Sequence, residues 1–250
     1  MKKRDKKSQQ FDHLGKRYAF FVAKDPVRNF LHYPQIRTLI APSPRTRVLD
    51  IGCGDGTFLR FLAKEKVRSL FGFDLSPQLI GLAQKQNRQP KKSSFIVCTP
   101  QKFTTTDLFD YATSVMVLPY ATNTEDLQAF FRCAFASLQP GGSFISVVFN
   151  PSFHAFDTVV ANRKFTKMVK SKIRVSFLDV KQLHEIFTSQ LTQFSQKHYE
   201  GAARKAGFKK MHWQKLSPTD RGLRVYRGSF WKKCVKEQPY AIFLCTKTTR

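Results

Sequence analysis

A run of three alternating glycines, placed directly after a short apolar segment, constrains the fold more than any other feature of the sequence. The apolar segment ends near Asp50, and the glycines are Gly52, Gly54 and Gly56. Glycine is required where a backbone turns sharply or where a ligand must approach it closely. A strand that enters such a turn and continues into a helix predicts the first unit of a doubly wound α/β sheet, with a ligand seated at the turn.

The spacing and charge of this turn indicate what kind of ligand it holds. A dinucleotide-binding turn follows the pattern G-x-G-x-x-G, which would put the third glycine at position 57, where this chain has Thr57. Asp50 and Asp55 flank the turn and would repel a pyrophosphate. A ligand that carries an ammonium and a sulfonium would be attracted by the same carboxylates, so the turn favours a cationic ligand.

A third acidic residue ends the next apolar segment. Phe71 to Phe73 is followed by Asp74 and then by Ser76-Pro77, which is typical of a helix start. Ligands of open α/β sheets bind beyond the carboxyl ends of the strands. We therefore expect Asp74 to accept hydrogen bonds from the two hydroxyls of a ribose.

Short apolar segments alternate with helical patterns as far as residue 150. The predicted strands lie at 47–50, 70–74, 94–98, 111–118 and 144–149. Strands that alternate with helices predict a parallel, doubly wound sheet. A helix over 199–206, ended by Gly207, and two strands at 208–214 and 240–246 would complete this sheet.

The chain divides into four predicted parts. Residues 1–43 form a basic arm and a helical cap, and residues 44–150 form the α/β core. Residues 151–198 are too long for a plain connection and predict a lid or insertion after the fifth strand. Residues 199–250 supply the C-terminal helix and the last two strands.

The glycine turn and Asp74 together resemble the cofactor motifs of the class I S-adenosylmethionine-dependent methyltransferases, over about residues 44–150. The resemblance implies a Rossmann-like, mostly parallel sheet of seven strands whose last strand is antiparallel. It also implies S-adenosyl-L-methionine as the cofactor. The segment from His198 to Trp231 is similar, more faintly, to the C-terminal part of toxoflavin-type small-molecule methyltransferases.

The resemblance assigns the amino acid end of the cofactor to the glycine turn. It implies that Gly52, Cys53 and Gly54 line the methionine moiety. Asp50 would organise the turn and help to hold the amino group. Gly56 belongs to the same set of cofactor-binding candidates.

The other cofactor candidates lie elsewhere along the chain. The resemblance implies that Asp74 binds the ribose and that Leu75 packs on the adenine. The acidic residue that often follows the third strand in this family is absent after Cys98, where Gln101 is the nearest polar substitute. The remaining candidates are Thr99, Pro100, Val117 and Tyr18.

Tyr18 is a candidate because of an N-terminal pattern. It ends the sequence Phe11-Asp12-x-x-Gly15-x-x-Tyr18. This pattern is similar to an aromatic and acidic segment that covers the cofactor in small-molecule methyltransferases. A plain helix face is the alternative interpretation.

Two side chains are candidates for the methyl-transfer step. Tyr120 ends a Leu-Pro-Tyr sequence after the fourth strand, which is similar to the N/D-P-P-Y motif of amino-group methyltransferases but lacks its polar first residue. His154 follows the fifth strand and could act as a general base, or could be a hydrogen-bonded structural residue. His198 and Tyr199, at a helix start, are open to the same two interpretations.

The chain is strongly basic, with 43 Lys and Arg against 17 Asp and Glu and a formal net charge of +26. Such an excess of positive charge indicates nucleic acid, an anionic membrane or an anionic substrate as a partner. The alternative is that all proteins of the source are basic and that the charge only aids solubility. The stretch from Arg163 to Arg174 holds six basic residues and no acidic one. On a helix, positions 163, 167, 170 and 174 would fall on one side and could bind an anionic acceptor or RNA phosphate, unless they form only a solvated face.

Cysteine usage and apolar runs bear on location and on metals. The five cysteines are scattered, none forms a C-x-x-C pair, and no Cys/His cluster has metal-ligand spacing. No apolar run approaches the roughly 18 residues that a bilayer span requires. We expect a cytoplasmic protein with no metal site, no membrane association and no obligate protein partner.

Three functions are consistent with the sequence. The first is a methyltransferase that acts on a small aromatic or heterocyclic acceptor, over which aromatic side chains of the cap and lid could close. Those side chains are Phe20, Phe21, Phe30, Tyr33, Phe153, Phe156 and Phe165. The second is an RNA methyltransferase whose basic surface holds phosphates. The third is a cofactor-binding protein without catalysis.

Overall fold

The computed structural model describes residue 15, residues 18–226 and residues 229–249. The predicted basic arm and the Phe11-Asp12 part of the N-terminal pattern lie outside these residues. The strands are β1 (Arg47–Ile51), β2 (Ser69–Asp74), β3 (Ser93–Val97), β4 (Phe109–Val115), β5 (Leu138–Phe149), β6 (Val159–Val160), β7 (Arg163–Lys167), β8 (Lys172–Leu178), β9 (Glu185–Thr192), β10 (Lys210–Lys215) and β11 (Tyr240–Thr246).

The helices alternate with the strands through the core and also form the cap. They are α1 (18–24), α2 (Tyr33–Ile40), α3 (Thr57–Leu62), α4 (Pro77–Lys85), α5 (Thr124–Ser137), α6 (Gln196–Ala206), α7 (Asp220–Val225) and α8 (Ser229–Glu237). A π-helical turn, Arg28–His32, leads directly into α2. None of the helices in the described part of the chain is long and apolar enough to cross a membrane.

Seven strands form the main sheet, in the order β10-β11-β5-β4-β1-β2-β3. The pairings from β5 through β4, β1 and β2 to β3 are parallel, and β11 is antiparallel to both of its neighbours. The predicted doubly wound, mostly parallel sheet is confirmed, including its reversed last strand. Because the strand order changes direction between β1 and β4, a crevice opens at the carboxyl ends of these two strands.

Local capping signals begin and end the helices of the core. The Ser76 side chain accepts a hydrogen bond from the Leu79 amide at 3.3 Å and starts α4, with Pro77 as its first residue. Gly207 ends α6 in the left-handed conformation, at φ 112°. These short-range signals are readable in the sequence because each acts within three or four residues.

The insertion after β5 is a second sheet, and it corrects one expectation. The strands β6-β7-β8-β9 form an antiparallel sheet of their own. The basic stretch from Arg163 to Arg174 is therefore a strand, a turn and a strand, and its interpretation as a helix with one basic side was wrong. Buried Ile173 and Val175 alternate with the more exposed Lys172 and Arg174, which is the two-residue period of a strand.

Arg163 is buried instead of facing solvent. Its guanidinium donates to the Asp25 carboxylate and to the Asn162 side chain, and it lies against the rings of Phe21 and Phe177. Arg163 is 3% exposed and Asp25 is 1% exposed. This buried ion pair joins the segment between α1 and the π-helical turn to β7, so the helical cap and the inserted sheet form one packed unit over the crevice.

Gly56 and Gly81 provide a matched test of the glycine turn. Gly56 has φ +76°, and a Cβ there would lie 2.8 Å from the Phe95 ring and 3.1 Å from Ala83. Gly81 lies inside α4, and a Cβ there would have no atom of the described residues within 4 Å beyond its own helix backbone and chain neighbours. We expect Gly56→Ala to lower the free energy of unfolding by about 2 kcal/mol or more. Gly81→Ala should raise it by roughly 0.5–1 kcal/mol, since alanine favours a helix interior.

Urea denaturation of the two variants and the unaltered chain checks this prediction. Equal effects of the two substitutions would contradict the requirement for glycine in the turn.

Candidate functional site

A cavity of about 670 Å³ opens at the crevice between β1 and β4. Its floor is the glycine turn and the carboxyl ends of the strands, and its walls come from the cap and the inserted sheet. It is lined by nearly all of the residues proposed from the sequence to bind cofactor. Those that line it are Asp50, Gly52, Cys53, Gly54, Asp74, Leu75, Thr99, Pro100, Val117 and Tyr18.

The glycine turn forms an open cradle. The amides of Gly52 and Cys53 both donate to the Phe73 carbonyl, at 2.8 and 2.9 Å, and so tie the turn to β2. A Cβ at Gly52 would lie 2.5 Å from the Val117 side chain. A Cβ at Gly54 would have more room: among the residues that the structure describes, Tyr18 alone comes within 4 Å, at 3.8 Å. The backbone at Gly54 can therefore be approached closely by a ligand.

Gly56 does not line the cavity. It is the residue directly before α3, where the lack of a side chain makes room for Phe95 and Ala83. Its role in the structure is to permit the turn, and the structure does not bring it to the ligand side.

Asp74 stands at the end of β2, beside the cradle. One carboxylate oxygen accepts from the Gly54 amide and the other from the Ser76 amide, both at 2.9 Å. Burial raises the pKa of Asp74, although these amide hydrogen bonds oppose the rise. Each carboxylate oxygen keeps a lone pair that can accept a hydrogen bond from a ligand hydroxyl.

Asp50 is more deeply placed, at 2% exposure. It accepts a hydrogen bond at 2.8 Å from the Thr113 hydroxyl on the neighbouring strand β4. Burial raises the pKa of Asp50 to about 7, and the nearby charge of Asp74 adds to the rise. The hydrogen bond from Thr113 acts in the opposite direction and lowers the pKa. A carboxylate with so little solvent is stabilised by a cation brought to it.

Asp55 lines the cavity but is already engaged. It accepts from the Thr57 hydroxyl at 2.7 Å and forms an ion pair with Arg60 at 3.2 Å. These contacts hold the start of α3. Of the three carboxylates around the glycine turn, Asp50 and Asp74 are therefore the ones available to a ligand.

Arg28 is a cavity residue that the sequence analysis missed. It lies in the π-helical turn of the cap, donates to the Tyr18 hydroxyl at 2.8 Å and pairs with Asp25 at 3.6 Å. Tyr33 lines the cavity beside it. No motif marks Arg28 in the sequence, since only the folding of the cap onto the crevice brings its guanidinium there.

Tyr120 lines the cavity and ends a short 3-10 helix, Leu118–Tyr120, that follows β4. Its hydroxyl lies 2.9 Å from the Ser189 hydroxyl of the inserted sheet. Burial raises the pKa of Tyr120 to about 12, so the phenol stays protonated near neutral pH. It can hold an acceptor by a hydrogen bond or by ring contact, but it is poorly suited to remove a proton.

The structure does not bring His154 to the cavity. His154 is exposed in the segment after β5, and it is not among the residues that line the cavity. The His198 side chain forms a capping box with Ser195 at the start of α6, and Tyr199 is fully buried in the core. For His198 and Tyr199, the structure therefore favours capping and core packing over a part in methyl transfer.

The aromatic side chains expected to close over an acceptor mostly pack on one another. Of the set, Tyr33 lines the cavity. Phe153 and Phe165 are fully buried, with ring centres 5.1 Å apart, and Phe21 packs on Phe177 at 5.4 Å. The expectation of an aromatic lid made from these residues was wrong: Phe21, Phe153 and Phe165 are buried in the core, and Phe20 is exposed.

The donor set fits S-adenosylmethionine. An open glycine backbone, two carboxylates for the ammonium and ribose, and the Arg28 guanidinium for a carboxylate face one cavity. The loop after β3 contributes Thr99, Pro100 and Gln101 at the side of Leu75. Among the described residues, no group of three His, Cys, Asp or Glu side chains could hold a metal ion.

A family model described as "Methyltransferase domain" matches residues 8–238. Nodulation protein S of Rhizobium tropici is 26% identical over 121 residues, which is 48% of this chain and 50% of that protein. The chain thus spans about half the length of the curated relatives it matches.

Solved structures show the same fold. The sugar N-methyltransferase KedS8 from Streptoalloteichus sp ATCC 53650 has a TM-score of 0.65 at 16% identity, covering 93% of this chain and 92% of that chain. CalS10, an amino pentose methyltransferase from Micromonospora echinaspora solved with S-adenosylmethionine bound, has a TM-score of 0.56 at 17% identity, covering 86% and 88%. At these identities the similarity establishes the fold.

Because the pKa of Asp50 is raised, we predict that a substitution that removes its charge stabilises the folded chain in a pH-dependent way. Since the folded-state pKa of about 7 lies above the ordinary 3.8, the folded state holds an extra proton between these values and loses stability as pH rises through the window. We expect Asp50→Asn to stabilise the chain at pH 8, by at most about 4 kcal/mol, with little effect near pH 4.

Thermal or urea denaturation at both pH values measures this effect. Asp179→Asn is the control, because Asp179 is on the surface and backbone hydrogen bonds hold its pKa below the ordinary value. A wild-type chain that is more stable than Asp50→Asn at pH 8 would show that the Asp50 carboxylate is not destabilised by burial.

Proposed function

The chain belongs to the methyltransferase-domain family, and on that premise we propose that it transfers a methyl group from S-adenosylmethionine to a small aromatic or heterocyclic acceptor. The observation that carries the proposal is one cavity that is lined both by the glycine cradle with its carboxylates and by Tyr120 with residues of the inserted sheet. We assign the donor to the first set of residues (the donor end) and the acceptor to the second set (the acceptor end). Such a cavity can hold a donor and an acceptor face to face.

The chain's own residues act chiefly by placement. When bound, S-adenosylmethionine supplies an electrophilic methyl group on a sulfonium, and the leaving group is neutral. Asp74 and Asp50 fix the donor end, Arg28 complements its carboxylate, and the cap excludes water. Alignment of this kind can contribute several kcal/mol, up to about 7–11 in the best cases, to lowering the barrier.

The acceptor end supports a small molecule with a flat or ring-shaped body. The ring of Tyr120 lines it, and an aromatic face binds rings by stacked or edge contacts. Gln190 and Thr192 of the inserted sheet add polar groups to the cavity wall. A volume of about 670 Å³ lies within the range of small-molecule sites.

Loss of the Asp74 carboxylate tests the cofactor assignment. We expect Asp74→Ala to lower the affinity for S-adenosylmethionine by at least tenfold, because the hydrogen-bond acceptors for the ribose are removed. Isothermal titration calorimetry measures this affinity, and circular dichroism checks the fold. Asp107→Ala is the matched control, since Asp107 is exposed and does not line the cavity; equal affinities for the two variants would contradict the assignment.

Transfer of labelled methyl groups tests the acceptor class. The protein is incubated with methyl-labelled S-adenosylmethionine and either the small-molecule or the RNA fraction of a cell extract. We expect label in small molecules. Label in RNA would replace the small-molecule proposal by the RNA alternative, and tight cofactor binding with no label in any fraction would favour a non-catalytic role.

A further inference from the structure

We propose that the acceptor carries a small anionic group, a carboxylate or a phosphate, and that Lys172 binds this group. The inference rests on the proposed function and specifies the substrate class of the same cavity. It starts from the basic stretch of the inserted sheet, whose residues the structure separates into different environments. Of the six basic residues in this stretch, Lys172 is the one that lines the cavity.

The position of Lys172 is set by backbone pairing and by two hydrogen bonds. It opens β8 and lies directly opposite Thr192 on β9. Its ammonium donates to the Thr192 hydroxyl at 2.8 Å, and that hydroxyl donates to the Ala121 carbonyl at 2.7 Å. Ala121 follows Tyr120, so the ammonium is tied to the acceptor end of the cavity.

The charge of Lys172 lacks a carboxylate partner within the part of the chain that the structure describes. The neighbouring cations differ from it: Arg163 and Arg28 pair with Asp25, and Arg174 lies 3.7 Å from Glu185. Lys172 is half-buried and has a neutral hydroxyl as its partner. A half-buried cation gains more from an incoming anion than an exposed one does, because solvent screens it less.

The surroundings of Lys172 favour a small anionic group over a nucleic acid backbone. A phosphate backbone is held by a row of exposed cations that track its charges. The ammonium of Lys172 instead stands in a cavity wall with Gln190, whose side-chain amide can donate a second hydrogen bond to one carboxylate or phosphate. An anionic substituent of the acceptor would therefore be anchored while its ring lies against Tyr120.

Inorganic phosphate is the first probe, and its binding to the full chain is measured by nuclear magnetic resonance. We expect phosphate to shift the amide signals of Thr192 and Ala121 saturably, with at least tenfold weaker binding in Lys172→Met and intermediate binding in Lys172→Arg. Lys164→Met is the matched control, because Lys164 is an exposed lysine of the same sheet that does not line the cavity.

The control variant should bind phosphate like the unaltered chain. Equal weakening by Lys164→Met and Lys172→Met, or shifts spread over all surface lysines, would overturn the inference. Thermal melts of both variants confirm that each one is folded before the titrations are compared.

The labelled-methyl assay is the second measurement. We expect the labelled small molecule to be retained on an anion-exchange resin at neutral pH, and its yield to fall at least tenfold in Lys172→Met but not in Lys164→Met. A labelled neutral product, or label in RNA, would overturn the inference. If no fraction accepts label, the proposed function fails, and the phosphate titration alone decides whether Lys172 binds an anion.

Discussion

The attachment of the glycine turn to the end of β2 is the arrangement on which the site depends. Two amides of the turn, those of Gly52 and Cys53, donate to the Phe73 carbonyl, and the next residue of β2, Asp74, accepts from Gly54. These bonds place an open stretch of backbone and a carboxylate side by side. Because the bonds link neighbouring parallel strands, the cradle and the carboxylate keep their spacing wherever the sheet itself is intact.

The electrostatics of the crevice oppose folding but favour a cationic ligand. Burial raises the pKa of both Asp50 and Asp74, so the folded chain holds two carboxylates that water would stabilise better. A bound ammonium or sulfonium compensates for the lost solvent. This is the pattern expected where a functional site retains groups that lower stability.

The cap and the inserted sheet convert the crevice into a cavity. Their buried Asp25–Arg163 ion pair and the aromatic core around Phe153 and Phe165 hold them together. Arg28 lies in the cap, before the α/β core in the sequence, and Lys172 lies in the inserted sheet after β5. Both nevertheless line the same cavity. The positions of these two cations in the cavity wall therefore depend on packing between segments that are far apart along the chain.

Local signals were sufficient to predict the sheet and most of the residues around the glycine turn that line the cavity. The alternating glycines, Asp74 and the Ser76-Pro77 helix start each act within a few residues, so their consequences can be read directly from the sequence. The fold class followed from the alternation of strands and helices. The inserted sheet was misread because its lysines suggested a helix face, although its buried residues repeat with the period of a strand.

The sequence by itself determined the α/β core, the turn and the acidic residues that point to a cationic methyl donor. Only the tertiary structure decided which other side chains line the cavity: it buried Arg163, placed His154 outside, and brought Arg28 and Lys172 to the cavity wall. The physical reason is the distance along the chain over which each interaction acts. Turns and caps are set by neighbours in the chain, whereas the cavity wall is set by the burial of side chains from segments that are distant in sequence.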